Sequence, residues 1–95
     1  VDTKFCVQNI FSDEFDISPY KTFLASDVCF WDAQTDLWIN FINKIIKQDK
    51  QLIMCDPGRE SFWNLLDNCN APYQIINQKI NKPRKVDAYI TIFGE

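Results

Sequence analysis

The sequence contains no histidine and only two glycines, Gly58 and Gly94. Without histidine, nucleophilic chemistry of the Ser-His and Cys-His type is excluded. A zinc site would need Cys6, Cys29, Cys55 and Cys69 to converge from distant elements, because no C-x-x-C pair supplies the spacing of a structural zinc site. No metal is expected, and the cysteines read as reduced, small buried hydrophobes. The shortage of glycine leaves no Gly-rich loop through which backbone could approach a bound ligand closely. There is no apolar run of the about 18 residues that a membrane-spanning helix needs, and no signal-peptide pattern opens the chain. A cytoplasmic protein without membrane contact is the expectation. Basic charge is also scarce: 10 Lys and Arg face 13 Asp and Glu, for a net charge of -3. That balance argues against a nucleic-acid partner. The local cluster Lys79, Lys82, Arg84 and Lys85 brackets Pro83 between apolar runs and reads as a solvated turn.

What the chain does contain fits one α/β unit: 95 residues, 46% hydrophobic and 24% charged, enough for a single modest core. A first strand reads from about Thr3 to Gln8, followed by an acidic, turn-rich connection from Phe11 to Tyr20 that should be exposed. Lys21 to Cys29 makes a second strand-length apolar run. After Asp32, a candidate N-cap, Leu37, Trp38, Phe41, Ile42, Ile45 and Ile46 recur at helical spacing and predict an amphipathic helix packed on a sheet. Gln51 to Cys55 is a short strand stopped by Asp56-Pro57-Gly58. A second helix carries Phe62, Leu65, Leu66 and Cys69 on one stripe and ends at Asn70 and Pro72. Tyr73 to Ile80 and Val86 to Phe93 then form a closing antiparallel pair. Strands alternating with helices predict a largely parallel sheet, whose ligands lie beyond the carboxyl ends of its strands. Because Val1 to Ile10 already reads as a strand and no initiating Met is present, a fragment or processed product is expected.

The stretch Ala25-Ser26-Asp27-Val28-Cys29-Phe30-Trp31-Asp32 carries the most chemistry, since a strand runs straight into a carboxylate and two aromatics. Two readings stand on these residues. The carboxylate could orient an amine while the rings face a cation, or Asp27 could cap a turn with Phe30 and Trp31 in the core.

Asp27-Val28-Cys29-Phe30 matches a D/E-x-x-Y/F motif, and Asp56-Pro57-Gly58-Arg59 follows the next strand about thirty residues on, beyond an amphipathic helix. On these residues the chain resembles the protein lysine methyltransferase group of the class I S-adenosylmethionine-dependent methyltransferases. Within that group it resembles the electron-transfer flavoprotein β-subunit lysine methyltransferases and the nicotinamide N-methylase-like proteins. The resemblance implies the C-terminal half, residues 1–95, of one Rossmann-like seven-stranded methyltransferase sheet ending in an antiparallel β-hairpin. The Gly-rich cofactor loop and the acidic ribose ligand of the family's first half are not in this sequence.

Carried over by position, the resemblance puts Asn9 and Ile10 at the adenine ring of S-adenosylmethionine, and Ala25 and Ser26 beneath its methionine portion. Asn9 is chemically suited to an adenine edge, although a turn-forming role is equally open. Asp27, as the catalytic residue, and Phe30 would face a protein lysine or a small amine or amide acceptor, and Trp31 would line its pocket. The implied reaction is in-line displacement, in which Asp27 orients the attacking nitrogen and eases loss of its proton. Alone, the chain should not methylate, and its exposed sheet edges should favour self-association. A non-catalytic α/β interaction module or partner subunit is the alternative.

Overall fold

The computed structural model describes residues 7–29, 31–81 and 85–94. Its four strands are β1 (Thr22–Ser26), β2 (Gln51–Asp56), β3 (Tyr73–Ile80) and β4 (Val86–Phe93), and its two α-helices are α1 (Thr35–Lys47) and α2 (Glu60–Asn68). The result is a small mixed α/β domain with an open four-stranded sheet in the order β1-β2-β4-β3. Of the strand expected from Thr3 to Gln8, residues 3–6 lie outside the described residues, while Val7 and Gln8 have no strand geometry. The described sheet thus has four of the five strands expected of this chain.

The helix α1 forms where apolar residues recur at helical spacing, and it buries Trp38, Phe41, Ile42 and Ile45. Leu37, expected on that stripe, is exposed. Asp36 in the first turn and Lys44 and Lys47 in the last complement the helix dipole. The helix ends in a Schellman arrangement. Asp49 takes a left-handed conformation (φ 57°), and the Asp49 and Lys50 amides donate to the carbonyls of Ile46 and Ile45. That reversal turns the chain straight into β2, which pairs parallel with β1 from Thr22 opposite Gln51 to Ser26 opposite Cys55.

After α2 the chain does not continue the parallel pattern. β3 and β4 form the expected hairpin, and β4 returns between β2 and β3, antiparallel to both. Alternation then sorts the two sheet faces. Leu52 and Met54 of β2 pair with Phe93 and Thr91 of β4 on the face that meets the helices, and all four are buried. Leu24, Ile53 and Ile92 share the opposite face, as do Ile90 and Ile76. Leu24 is 78% exposed there, since no described helix covers that side.

Two local expectations are corrected. The acidic connection from Phe11 to Tyr20 is not simply an exposed loop, because Ile17 is buried and Phe11 and Phe15 pack on the core. The ring of Phe11 meets Trp38 edge-on at 5.0 Å, and the Lys44 ammonium donates to the Phe15 carbonyl at 2.9 Å. Apolar side chains at every few positions of a polar loop are enough to fold it onto a helix flank. Asp32 does not cap α1 with its side chain; it opens a short 3-10 turn, Asp32–Gln34, and the α1 N-cap is Gln34. Its carboxylate instead accepts from the Ser61 hydroxyl at 2.8 Å and the Asn64 amide at 3.0 Å, both on α2.

Candidate functional site

Parallel pairing of β1 with β2 brings the carboxyl ends of the two strands side by side. Asp27 follows the last residue of β1, and its amide extends the ladder by donating to the Cys55 carbonyl at 3.1 Å. Its φ of 56° lies in the left-handed region, which Asp tolerates better than most side chains. The chain leaves the sheet at this point. One strand over, Asp56 closes β2 with a fully buried side chain. Its Oδ2 accepts the amides of Gly58 and Arg59 at 2.9 and 2.8 Å, so the carboxylate holds the turn that launches α2.

Arg59 joins the two strand ends. Its Nη1 lies 2.9 Å from Asp56 Oδ1 and 3.1 Å from Asp27 Oδ1, one donor nitrogen bridging a buried carboxylate and an exposed one. Asp56 is therefore the anchor and Asp27 the outer end, with Oδ2 of Asp27 making no hydrogen bond among the described residues. The surrounding turn is rigid for identifiable reasons. Gly58 has φ 102°, and a Cβ there would sit 2.8 Å from the Tyr89 ring. The Trp63 indole donates to the Gly58 carbonyl at 3.0 Å while its ring packs edge-on against Tyr89 at 4.7 Å. Asp32, tied to Ser61 and Asn64, fixes the other side of the α2 N-terminus. The Ser61 and Asn64 hydrogen bonds hold its carboxyl below the usual carboxylate range.

The expected site residues are only partly assembled. Trp31 is 66% exposed beside this cluster in sequence and precedes the 3-10 turn. Phe30 lies outside the described residues. Ala25 is half-buried against the core, and Ser26 is exposed on the opposite side of β1. Asn9 and Ile10 sit in a turn on the α1 side: the Asn9 side-chain carbonyl accepts the Phe11 amide at 3.0 Å, the turn-forming role, and Ile10 packs on the core. Asn9 also lines a groove of about 380 Å³ with Gln8, Ser12, Glu14 and Phe15. Among the described residues no hydrogen bond, ion pair or ring contact joins Asn9 or Ile10 to the Asp27–Arg59–Asp56 cluster.

The bridging role of Arg59 was missed from sequence, where it stood only as the last letter of a turn motif. The signal was there: two parallel neighbours each ending in Asp, with Arg three positions after the second.

Cys29 does not reach this chemistry. Its thiol is buried 3.6 Å from the Met54 sulfur, and burial pushes its pKa up to about 11. Among the described residues no group of three or more metal-ligating side chains comes together, and no helix is long and apolar enough to cross a membrane. Compared with protein-family models, curated proteins and solved structures, the chain matches none of them.

Proposed function

We propose that the chain is the second half of a class I S-adenosylmethionine-dependent N-methyltransferase domain, and that it acts only together with a first half carrying the Gly-rich loop. The observation that supports this reading best is the sheet order. Two parallel strands joined by a helix, then a helix and a hairpin whose last strand returns antiparallel between its predecessors, is the arrangement expected of the closing half of such a sheet.

The described residues do not by themselves fit the cofactor. Both glycines are committed to close packing: Gly58 lies under Tyr89, and a Cβ on Gly94 would run into the Lys50 carbonyl oxygen. The Asn9 side-chain carbonyl is spent on its own loop. No transfer step is therefore derived for this chain alone. What its residues can do is hold an acceptor. Arg59 takes Oδ1 of Asp27, which leaves Oδ2 to accept an N–H of a protein lysine or small amine, and Trp31, 66% exposed four residues further along the chain, is read as a wall of the acceptor pocket. A carboxylate held in place by Arg59 is suited to aligning an attacking nitrogen, so Asp27 is read as an aligning group.

A non-catalytic interaction module is the second reading, and the uncovered apolar face around Leu24, Ile53 and Ile92 favours it. Calorimetric titration of S-adenosylhomocysteine separates the two. The proteins to compare are this chain and a version extended upstream by about one hundred residues, the length a full domain requires. Binding by the extended protein alone, abolished by altering its Gly-rich loop, is the expected result. Absence of binding to both would overturn the methyltransferase reading and leave the module.

A further inference from the structure

At the end of the sheet away from the Asp27–Arg59 pair, β3 has no strand beyond it among the described residues. The loop before β1 packs on the far side, where Phe11 meets Phe41 and Phe41 meets Phe23 of β1, three strand spacings or about 14 Å from this edge. The methyltransferase reading puts its missing strands beyond β1 as well, so β3 is outermost with or without them. Hydrogen-bond direction fixes which of its backbone groups face out. The Gln51 amide donates to the Lys21 carbonyl and the Cys55 carbonyl accepts the Asp27 amide, so Gln51, Ile53 and Cys55 address β1. Alternate residues address alternate sides, so Leu52, Met54 and Asp56 bond to Phe93, Thr91 and Tyr89 of β4, and Ile92, Ile90, Ala88 and Val86 bond to β3. That uses Gln74, Ile76, Gln78 and Ile80, and Tyr73, Ile75, Asn77 and Lys79 turn their N–H and C=O groups outward. Every residue of β3 is exposed, and five of the eleven large apolar side chains exposed among the described residues lie on this hairpin: Tyr73, Ile75, Ile76, Ile80 and Val86. Apolar exposure gathered on one element marks a contact surface, whereas scattered single residues do not.

We propose that β3 is a homodimer interface, pairing antiparallel with β3 of a second copy about a two-fold axis at Ile76. In that register all four outward-facing residues form hydrogen-bonded pairs: Tyr73 with Lys79 and Ile75 with Asn77, each in both directions. Between them Ile76 meets its own equivalent and Gln74 meets Gln78, in the non-hydrogen-bonded positions where side chains lie closer. Sliding the strands by two residues loses one of the four hydrogen-bonded pairs, and a slip of one sets the outward groups against groups already bonded to β4. The charge pattern selects a second copy over an acidic or basic segment. From Tyr73 to Gln78 the strand carries no charge for such a segment to match. Its one charge, Lys79, has Asp87 opposite it on β4 and falls across the axis opposite the Tyr73 ring, a favourable place for an ammonium group and far from Lys79 of the second copy. The isologous contact closes on itself. A single edge is small against the about 800 Å² per partner of a standard interface, so the dimer is weak and reversible. The inference stands apart from the methyltransferase reading.

The test is sedimentation equilibrium of the whole chain together with register-specific crosslinking. A monomer–dimer equilibrium is expected. Ile76→Cys should give a covalent dimer under oxidised glutathione above the background of the native cysteines, because a non-hydrogen-bonded antiparallel pair sets Cα atoms about 4.5 Å apart, within disulfide range. Gln78→Cys, facing Gln74 rather than itself, should not. Ile76→Lys should weaken dimerisation by at least about tenfold, since it sets two ammonium groups directly opposite each other. Both positions are exposed, and circular dichroism checks that the fold is retained. A monomer at every concentration up to about 1 mM overturns the proposal. So does crosslinking of Gln78→Cys in place of Ile76→Cys, or an association constant that Ile76→Lys leaves unchanged.

Discussion

Replacing Asp56 with alanine should cost far more than replacing Asp27, although both carboxylates contact the same arginine nitrogen. The Asp56 side chain is fully buried and accepts two backbone amides besides the guanidinium, whereas the Asp27 side chain is 62% exposed and makes one contact. Removing Asp56 strands the Gly58 and Arg59 amides and takes from Arg59 its buried partner. Breaking a buried ion pair from one side costs about 3–5 kcal/mol, and the lost charge-assisted amide contacts act in the same direction. An exposed pair such as Asp27–Arg59 is worth about 0–1 kcal/mol. A domain of this size has a total stability of about 5–14 kcal/mol, so Asp56→Ala should remove a large share of it while Asp27→Ala leaves it nearly intact. Urea unfolding followed by tryptophan fluorescence reads both, with Trp63 reporting directly because its indole is bonded to the Gly58 carbonyl of the same turn. Equal midpoint shifts for the two variants would refute the assignment of Asp56 as anchor and Asp27 as outer end.

Three further outcomes are expected. Thr91→Val should stabilise the fold by about 1 kcal/mol in the same assay, because the buried Thr91 hydroxyl finds no partner among the described residues and valine keeps its shape. Gly94→Ala should destabilise by at least about 1–3 kcal/mol, since φ 79° disfavours any side chain and the new Cβ meets the Lys50 carbonyl; thermal melting checks it. Asp32, whose carboxyl is held low by Ser61 and Asn64, contributes stability that is present above its unfolded-state pKa and disappears as pH falls through its folded-state value. The stability gap between wild type and Asp32→Ala should therefore narrow in acid, and a gap that widened below pH about 4 would contradict the sign.

The one-dimensional pattern was a sound guide wherever local physics sufficed. The helical stripe of Trp38, Phe41, Ile42 and Ile45, the stop at Asp56-Pro57-Gly58, and the bounds of β3 and β4 were all legible, because periodicity and turn chemistry act over a few residues. Leu37 was misplaced because a helical stripe has a soft border that only the facing sheet defines. Asp32 was misread as the N-cap of α1, a place that Gln34 takes, and its actual partners were out of reach because Ser61 and Asn64 stand about thirty positions away. Of the candidate site, Asp27 and the turn after β2 were visible as motifs, yet nothing in the order of letters says that Arg59 spans between them.

By itself, then, the sequence determined the types of the four strands and two α-helices described, most of their bounds and the exclusions: histidine-dependent catalysis, a Gly-rich loop, an 18-residue apolar span. Tertiary structure alone decided which strands became neighbours, and with that everything that depends on two strand ends meeting. The insertion of β4 between β2 and β3 buries Phe93 and Thr91 beneath the helices, while the parallel pairing of β1 with β2 sets Asp27 beside Asp56. The physical reason is that periodicity reports how a residue faces its own element, whereas pairing order and register follow from which faces can be buried together once the chain has closed on itself.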